Sequence, residues 1–323
     1  MRKLLLAVAT GVLAVSASVY GLTSADAATY PNPGVVTGST FAHDPTIVKR
    51  PTGGYLLAIT APGIGLKTSP DRTAFTDAGK AFPGGTPWAD PYTGGDTNLW
   101  APDISYRDGK YVMYYSASTF GHSKSAIFLA TSPTGASGTW TNQGLVIEST
   151  DATGWNAIDP NLVVTSSGEW WMTFGSFWSG IKMIKLDPAT GKRADSTVRA
   201  IAERFTTDKA IEAPYIHRYG GYYYLFVAFD SCCKGAASTY KIMVGRSKTI
   251  TGPYVDRTGK AMTAGGGTEV LSSHDAVYGP GHPAVLQDTD GAVLVYHYYT
   301  ATNDAKLGIN LLGFDSAAWP YVH

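Results

Sequence analysis

The chain has 323 residues, and its 25 lysine and arginine residues balance its 25 aspartate and glutamate residues, so the formal net charge is zero. This balance argues against a nucleic acid or an anionic membrane as the partner, because both attract an excess of positive charge. Aromatic residues make up 12% of the chain, glycine occupies 37 positions and only 15% of residues are charged, a composition typical of a packed, turn-rich β protein rather than a disordered chain.

The first predicted element is a secretory signal peptide over residues 1–27. Basic residues at positions 2 and 3 precede an apolar stretch, and Ala25 and Ala27 place small residues at the two positions that a signal peptidase reads. A retained membrane anchor is the alternative, which the glycine and serine residues inside the stretch disfavour. We therefore expect a secreted, extracellular product that does not bind a membrane and consists of one catalytic domain over residues 28–323.

A unit of similar sequence then occurs five times along the chain. Each unit opens with a polar residue beside a proline, continues to a turn glycine, and then enters an aromatic or β-branched run. The openings are His43-Asp44-Pro45, Ala101-Pro102-Asp103, Ile158-Asp159-Pro160, Glu212-Ala213-Pro214 and Gly281-His282-Pro283. The runs that follow are residues 55–60, 110–116, 169–174, 222–229 and 292–299. A glycine turn between two such stretches predicts a β-hairpin in each unit.

Further runs complete the unit. Third runs over residues 126–131, 181–186, 240–246 and 307–314, and a weaker fourth over residues 140–147, predict four short strands per unit. No run is long and periodic enough for a helix of more than two turns. We therefore predict an all-β fold: a five-bladed β-propeller with four-stranded antiparallel blades around a central cavity. A β-sandwich or a single large barrel gives no reason for the recurring polar residue. Residues 29–40 are expected to close the ring by pairing with the last blade.

The polar residues at the unit openings should converge, because the first strand of each propeller blade lines the central channel. A single Asp-Pro is more often a turn than a catalyst. Together, however, Asp44, Asp159 and Glu212 can supply what acetal hydrolysis needs: a base for water, an acid for the leaving oxygen, and a neighbour that sets the pKa of the acid. Asp103 follows its proline instead of preceding it, so we expect it to be structural or to bind water.

The other motifs narrow the choice of chemistry. The sequence contains no G-x-S-x-G, P-loop, G-x-G-x-x-G after a strand, or H-E-x-x-H string, so acyl transfer, nucleotide binding and zinc proteolysis have no motif support. The two cysteines, Cys232 and Cys233, are adjacent and lack the partners of a zinc site. Neighbouring Cα atoms are about 3.8 Å apart, so a bond between these cysteines would close a small ring; whether it forms is left open.

Eight short motifs occur in a fixed order between residues 41 and 320. They are His43-Asp44-Pro45, Leu99-Trp100-Ala101-Pro102-Asp103-Ile104, the run from Tyr114 to Gly121, Asn156-Ala157-Ile158-Asp159-Pro160, Gly175-Ser176-Phe177-Trp178, Ile211-Glu212-Ala213-Pro214, Cys232-Cys233-Lys234-Gly235 and Gly279-Pro280-Gly281-His282. This ordered set resembles the family 43 glycoside hydrolases, and within them the endo-acting α-1,5-L-arabinanases.

The resemblance implies a propeller enzyme that hydrolyses with inversion of anomeric configuration. By motif, Asp44 would be the general base, Glu212 the general acid, and Asp159 the residue that tunes the pKa of the acid and holds substrate. An inverting pair stands roughly 6.5–9.5 Å apart so that a water fits between base and sugar. The resemblance also implies a largely water-ligated calcium ion with His282 as its protein ligand. Calcium prefers oxygen, so this assignment depends on the resemblance, and a channel histidine without metal is the alternative.

Substrate contacts implied by the same motifs combine apolar ring faces with hydrogen-bonding groups, as pockets for neutral polar ligands require. The candidate residues are His43, Trp100, Phe120, Gly121, Asn156, Ala157, Ile158, Ser176, Phe177 and Trp178. For each aromatic residue, packing within a blade is the alternative. The zero net charge suits a neutral polysaccharide such as arabinan, since no electrostatic steering is needed.

The sequence therefore predicts a secreted, inverting hydrolase of internal α-1,5-L-arabinofuranosidic bonds. An exo-acting arabinofuranosidase or a β-xylosidase on the same scaffold is one alternative, because fold alone does not settle function. A non-catalytic sugar-binding propeller is another, which the presence of all three acids disfavours. We expect a monomer, because a closed propeller leaves few open strand edges.

Overall fold

The computed structural model describes residues 30–323, so the predicted signal peptide over residues 1–27 lies outside the described residues. Within them, the strands form five sheets, antiparallel apart from one two-residue strand, arranged as the blades of a five-bladed β-propeller, as the sequence predicts. The helices of residues 30–323 are one four-residue α-helix, α1 (Asp90–Thr93), and two 3₁₀ helices, Gly235–Ala237 and Met262–Ala264. None of these helices has the length and apolar character needed to cross a bilayer.

The blades follow one another along the chain. The first six strands are β1 (Thr37–Gly38), β2 (Thr46–Lys49), β3 (Tyr55–Ile59), β4 (Ala61–Pro62), β5 (Gly65–Ser69) and β6 (Ala74–Lys80). All but β4 form blade 1, in the spatial order β1-β6-β5-β3-β2. Blade 2 contains β7 (Asn98–Arg107), β8 (Lys110–Ala117), β9 (Ser125–Ser132) and β10 (Thr141–Ser149), with β4 paired to β7.

The remaining blades each begin with an inner strand and proceed outward. Blade 3 contains β11 (Asn161–Val164), β12 (Trp170–Phe174), β13 (Ile181–Asp187), β14 (Lys192–Arg193) and β15 (Arg199–Ala202), the last two both paired to β13. Blade 4 contains β16 (Ile211–Tyr219), β17 (Tyr222–Phe229), β18 (Lys241–Ser247) and β19 (Thr268–Leu271). Blade 5 contains β20 (Tyr278–Asp288), β21 (Gly291–Tyr299), β22 (Ala305–Phe314) and β23 (Pro320–Val322).

Tight turns join the first two strands of blades 2 and 4. Asp108 and Gly109 have φ angles of 48° and 77°, and Gly220 and Gly221 have φ angles of 55° and 83°. Two consecutive residues with positive φ are characteristic of a type I′ turn, whose twist matches that of the flanking strands. The recurring glycine of the sequence repeat therefore marks the hairpin turn of these blades.

The hydrophobic core is divided into clusters at the junctions between blades. Met113 of β8 packs toward blade 1, whereas its neighbour Tyr114 packs toward blade 3. Successive strand residues point to opposite faces of a sheet, and both faces of a blade are covered, so the strands are apolar on both sides. This explains why β3 and β12 are buried at every position.

The ring closes between blades 5 and 1. The inner strands β20 and β2 are in contact, as are β2 with β7 and β16 with β20. The segment over residues 30–40 lies along β22: the Gly34 N–H donates to Ile309 O (2.8 Å) and the Leu307 N–H donates to Thr40 O (2.9 Å). It also supplies β1, which pairs in parallel with β6 of blade 1. The segment thus binds both blades, while the last blade has its own fourth strand, β23.

Candidate active site

A left-handed residue interrupts the innermost part of every blade, directly before a proline. These residues are Asp44, Ala101, Asp159, Ala213 and His282, with φ between 46° and 59°. The pairing register shifts at this point in β7, β16 and β20, so the feature is a β-bulge. A left-handed backbone costs a residue other than glycine roughly 1–2 kcal/mol. In blades 1 and 3 the left-handed residue lies just before the inner strand begins, and we use the name bulge for this residue in all five blades.

Side chains of the preceding blade accept hydrogen bonds from the bulge amides. The bonds run from Asp44 N–H to His297 Nδ1 (3.1 Å), from Ala101 N–H to Thr60 Oγ1 (2.8 Å), from Asp159 N–H to Ser116 Oγ (3.0 Å) and from Ala213 N–H to Asp159 Oδ2 (3.0 Å). The bulge amides cannot join the regular ladder, and a buried amide needs a partner. These four bulges, and the site residues in or beside them, are therefore positioned by the neighbouring blade.

Three of the bulge residues face one cavity of about 610 Å³ at the centre of the propeller. The predicted site residues that line it are His43, Asp44, Trp100, Phe120, Gly121, Asn156, Ile158, Asp159, Ser176, Phe177, Trp178, Glu212 and His282. The structure therefore brings together residues from all five sequence units. Phe120 lies at the rim, with 78% of its surface exposed.

Ala157 is the exception among the predicted substrate contacts. Its side chain is fully buried in the core between blades 2 and 3, and its N–H donates to Ser149 Oγ (2.8 Å). The side chain and N–H of Ala157 therefore do not face the cavity, and a contact between this residue and the substrate stays a prediction. Its neighbours Asn156, Ile158 and Asp159 line the cavity, and the motif gave no signal that Ala157 is oriented differently.

Asp44 lies among three imidazoles and a hydroxyl. Thr60 Oγ1 donates to Oδ2 (2.6 Å), His43 Nδ1 lies 3.0 Å from Oδ2, and His282 Nδ1 lies 3.1 Å from Oδ1. The His43 contact is close but poorly aligned for a hydrogen bond. Burial opposes ionisation, but the imidazoles of His43 and His282 outweigh it and hold the pKa of Asp44 well below its usual value. Asp44 is therefore the ionised carboxylate of the site.

Glu212 is buried and accepts a hydrogen bond on each oxygen. Ser176 Oγ donates to Oε2 (2.7 Å) and Tyr240 Oη donates to Oε1. Burial raises the pKa of Glu212, although the two hydroxyl donors oppose this shift. The arrangement fixes the orientation of the carboxyl group while favouring its protonated form.

Asp159 is also buried, close to the carboxyl group of Glu212. Its Oδ2 accepts the Ala213 N–H, which joins it to the strand that carries Glu212. Burial, together with the negative charges of Glu212 and Asp44, raises the pKa of Asp159 to about 8. Two buried carboxyl groups that repel each other cannot both ionise easily, so the Asp159 and Glu212 pair retains a proton near neutral pH.

Asp103 does not line the cavity. Its carboxylate accepts hydrogen bonds from Leu162 N–H (2.7 Å) and Asn161 Nδ2 (3.3 Å). Both donors belong to β11, so Asp103 joins the inner strands of blades 2 and 3. Burial raises its pKa to about 6. The sequence predicts that Asp103 is either structural or a ligand of water, and these contacts favour the structural role.

Residues outside the sequence predictions also line the cavity. They are Thr60, Thr119, His122, Thr207, Asp208, Lys209, Ser231, Cys232, Cys233, Lys234 and Tyr240. The two cysteines form a disulfide, which answers the question that the sequence left open. The cysteines occur in one of the eight sequence motifs. Thr60 directly follows β3 and Tyr240 directly precedes β18, and neither position carries a local sequence signal of function.

His43, Asp44 and His297 offer ligand atoms within 4.8 Å of one another, but they do not form a convincing metal site. The two imidazoles are stacked at 4.3 Å with an angle of 20° between their planes. Ring nitrogens coordinate in the plane of the ring, so stacked rings cannot easily converge on one ion. In addition, His297 Nδ1 already accepts the Asp44 N–H.

His282 is better suited to a cation. Its Nδ1 faces Asp44, and no hydrogen bond from residues 30–323 occupies its Nε2. Despite burial, the charges of Asp44, Asp159 and Glu212 raise the pKa of His282 to about 9. The same carboxylates that favour a proton there also attract a metal ion. A calcium ion held at this nitrogen would take its remaining ligands from oxygen, mainly from water.

Comparison with known proteins gives the family. Residues 30–313 match the family model described as "Glycosyl hydrolases family 43". The chain belongs to this family. The family 43 glycoside hydrolase and the five-bladed propeller that the sequence predicts are therefore both confirmed.

Several relatives of this family 43 chain carry descriptive names. It is 45% identical over 284 residues to "Extracellular endo-alpha-(1->5)-L-arabinanase 1" of Bacillus subtilis (strain 168), covering 86% of each protein. A solved endo-arabinanase from Bacillus licheniformis is 45% identical with a TM-score of 0.84, covering 89% of this chain and 99% of that one. A solved exo-1,5-alpha-L-arabinanase from a bovine ruminal metagenomic library is 41% identical with a TM-score of 0.83, covering 88% and 97%.

Proposed function

We propose that this chain is a secreted arabinanase that hydrolyses internal α-1,5-L-arabinofuranosidic bonds of arabinan with inversion of configuration. The observation that carries the proposal is the convergence of Asp44, Asp159 and Glu212 in one cavity, with opposite shifts of pKa at Asp44 and at the other two acids. Membership of family 43 and similarity to proteins named as endo-arabinanases support the reaction and the substrate.

The three acids divide the chemistry between them. Asp44 is ionised, so it removes a proton from the water that attacks the anomeric carbon. Glu212, kept protonated by burial, donates its proton to the leaving glycosidic oxygen as the bond to the sugar breaks. Asp159 and Glu212 together keep one proton, because their mutual repulsion opposes ionisation of both, and the acid acts when that proton is on Glu212.

The walls of the cavity suit a neutral sugar chain. Trp100, Phe120 and Trp178 offer apolar faces on which furanose rings can lie. Asn156 Oδ1 accepts a hydrogen bond from Ser125 Oγ (2.6 Å), which leaves its amide hydrogens available to sugar hydroxyls. A zero formal charge on the chain is compatible with an uncharged polysaccharide.

The main test replaces the acid. A general acid typically contributes about 10²–10⁴ to the rate, so Glu212→Gln should lower kcat on linear arabinan by about that factor while the protein stays folded. Glu169→Gln is the matched control, because Glu169 lies on the surface in an ion pair with Lys185. Retention of full activity by Glu212→Gln would refute the assignment. Proton NMR of the first product should show the inverted anomer.

Exo action is the second candidate, because a solved exo-acting enzyme is also similar to this chain over most of its length. The sizes of the products over time distinguish the two modes. Internal cleavage releases a spread of oligosaccharides early in the reaction, whereas exo action yields one short product from the outset. A panel of arabinan, xylan and inulin tests the substrate class, and binding without turnover on all three would indicate a sugar-binding protein.

We also infer a calcium ion at His282. Its Nε2 would hold the ion with water completing the shell, and the ion would add positive charge beneath the acids when bound. We expect one calcium per chain by elemental analysis of the purified protein, and chelation should lower the melting temperature because a ligand that binds only the folded state stabilises it. The His282→Ala variant should contain no calcium and should not respond to chelator. A wild-type protein without metal and indifferent to chelator would contradict the inference.

Export and assembly complete the proposal. The basic and apolar residues at the start of the chain, together with the word "Extracellular" in the name of the Bacillus subtilis relative, support secretion. We expect the secreted product to begin at residue 28 and to be monomeric, which mass spectrometry and light scattering of the secreted protein can test.

A further inference from the structure

The Cys232–Cys233 disulfide lies in the wall of the active-site cavity, between the groups that support the acid and those that support the base. Cys232 packs against the cluster of Ala213, Ala228 and Tyr240, and Tyr240 is the residue that donates to Glu212. Cys233 lies on the other side, beside the residues that contact Asp44. None of the catalytic roles proposed above uses this disulfide.

A continuous set of contacts runs from Cys233 to the base. The Cys233 N–H donates to Tyr299 Oη (3.1 Å), which lies 3.1 Å from His43 Nε2. Cys233 Sγ itself lies 3.7 Å from the same nitrogen. The other nitrogen of His43 lies 3.0 Å from Asp44 Oδ2. The position of His43 against the base therefore depends on what holds Tyr299 and Cys233 in place.

The disulfide fixes the local backbone. Cys233 has a left-handed φ of 66°, a conformation that an ordinary residue leaves when nothing restrains it. With the bond intact, the two adjacent side chains are locked to each other and the Cys233 N–H points at Tyr299. After reduction, both side chains gain rotational freedom, the backbone can leave the left-handed region, and the hydrogen bond to Tyr299 is no longer held.

We propose that the Cys232–Cys233 disulfide is a positioning element of the active site that keeps Tyr299 and His43 against Asp44, so that full activity requires the oxidised form. The inference rests on the proposed function, since it concerns the base of that reaction. Reduction by a small dithiol breaks the protein S–S bond, places one proton and one electron on each sulfur, and converts the reagent into its own disulfide. Both cysteines line the cavity, so the reagent can reach them.

The first experiment reduces the native protein. Misplacement of a catalytic group by about 1 Å costs about 10²-fold in rate, so reduction should lower kcat on arabinan by about 10- to 100-fold, with a much smaller change in KM. Reoxidation should restore kcat. An arabino-oligosaccharide bound in the cavity should slow the reduction, because it covers the disulfide. Melting temperature and near-UV circular dichroism report whether the reduced protein remains folded.

Variants separate positioning from general stability. The double variant Cys232→Ser with Cys233→Ser should be as slow as the reduced protein and should ignore the reductant. Tyr299→Phe keeps the disulfide but removes the hydroxyl that joins Cys233 to His43, so it should lose a similar factor, and reduction should then add little further loss. Tyr298→Phe is the matched control, because its ring packs toward Tyr296 and away from the site, and it should remain fully active and fully sensitive to reduction.

The outcomes are distinguishable. A native protein that hydrolyses arabinan and keeps its kcat after complete reduction overturns the inference but leaves the proposed function intact. If reduction lowers the kcat of Tyr299→Phe by the same factor as it lowers the kcat of the native protein, the disulfide does not act through Tyr299. That result also overturns the inference. A native, oxidised protein with no activity on arabinan contradicts the proposed function instead.

Discussion

Single residues around Glu212 show how closely the acid is held. Tyr240 is buried and donates to one carboxyl oxygen, while Ser176 donates to the other. The ring of Tyr240 lies against Gly281, where an added Cβ would be only 1.8 Å from Tyr240 Cδ2. Only glycine permits this approach, so Gly281 in the last inner strand is needed to bring the tyrosine to the acid.

We therefore expect Tyr240→Phe to impair proton donation. As Glu212 gives up its proton, Tyr240 donates to the carboxylate that forms. A hydrogen bond to a charged group contributes about 1.5–3 kcal/mol, so kcat on arabinan should fall about 10- to 100-fold. An aryl arabino-oligosaccharide with a good leaving group needs little help from an acid, and its hydrolysis should fall much less. Steady-state kinetics on both substrates test the prediction.

The control is Tyr223→Phe, a partly buried tyrosine that packs against the core cluster at the junction of blades 3 and 4. Its kinetics should match those of the wild type. Equal losses on both substrates for Tyr240→Phe would show that Tyr240 affects more than proton transfer. An unchanged kcat on arabinan would show that the hydroxyl does not matter.

The sequence predicted the acids but not the residues that hold them. Asp44 and Asp159 stand beside prolines that recur along the chain, so their pattern is visible. Tyr240 is one of 20 tyrosines, and it reaches Glu212 of its own blade only because Gly281 of blade 5 leaves room for its ring. Thr60 and His297 act across a blade boundary, which no local pattern reveals.

At the scale of structural elements, the repeated bulge shows which residues of the five units are equivalent. From the sequence, Asp103 and Glu212 are taken as the equivalents of Asp44. In the structure the equivalents of Asp44 are Ala101 and Ala213, which have the same left-handed backbone and directly precede their prolines. Glu212 therefore stands one residue before its bulge and still reaches the cavity. Asp103 stands two residues after its bulge and bonds to the neighbouring strand.

Strand prediction succeeded where a strand is buried on both faces. The run predicted over residues 222–229 is β17 (Tyr222–Phe229), and the run over residues 126–131 is one residue shorter at each end than β9 (Ser125–Ser132). Aromatic and β-branched residues fill both faces of such strands. The short strands β14 and β15 carry no such pattern, because only their pairing with β13 defines them.

The bulge predicts a role for Ser116 of β8, whose hydroxyl accepts the Asp159 N–H across the blade boundary. Ser116→Ala leaves that buried amide without its partner, which costs about 1–3 kcal/mol. We expect the free energy of unfolding from urea titrations to fall by this amount. Ser196→Ala, an exposed serine in the loop before β15, should change it by less than about 0.5 kcal/mol. Equal stability of both variants would show that the bulge amide finds another partner.

At the scale of the whole molecule, the ring is completed by contacts between the last blade and the first. The hydrophobic cluster at this junction contains Leu57 and Ile59 of β3 and Val293 and Val295 of β21. The segment over residues 30–40 runs across the same junction. Because the active-site acids come from different blades, their relative positions depend on closure of the ring.

An ionic cluster centred on Asp288 lies at this junction. Asp288 ends β20 in blade 5, and its carboxylate accepts hydrogen bonds from Lys49 Nζ (2.6 Å), Tyr55 Oη (2.5 Å) and Arg72 Nη1 (2.9 Å). All three donors belong to blade 1. The side chain of Asp288 is 1% exposed, so these donors take the place of water. Burial opposes ionisation, but the hydrogen bonds from Lys49 and Tyr55 lower the pKa of Asp288 to about 2.

Asp288→Asn should weaken closure of the ring in a pH-dependent way. At pH 7 the variant should be about 1–3 kcal/mol less stable to urea, because a buried, charge-assisted cluster loses its anion. The folded carboxylate has a lower pKa than the unfolded one, so its contribution is present above about pH 4 and disappears as the pH falls toward 2. The difference in the free energy of unfolding between wild type and variant should therefore disappear on acidification. The control, Asp90→Asn at the exposed start of α1, should be as stable as the wild type at both pH values. A difference for Asp288→Asn that stays constant down to pH 2 would contradict the ionic role.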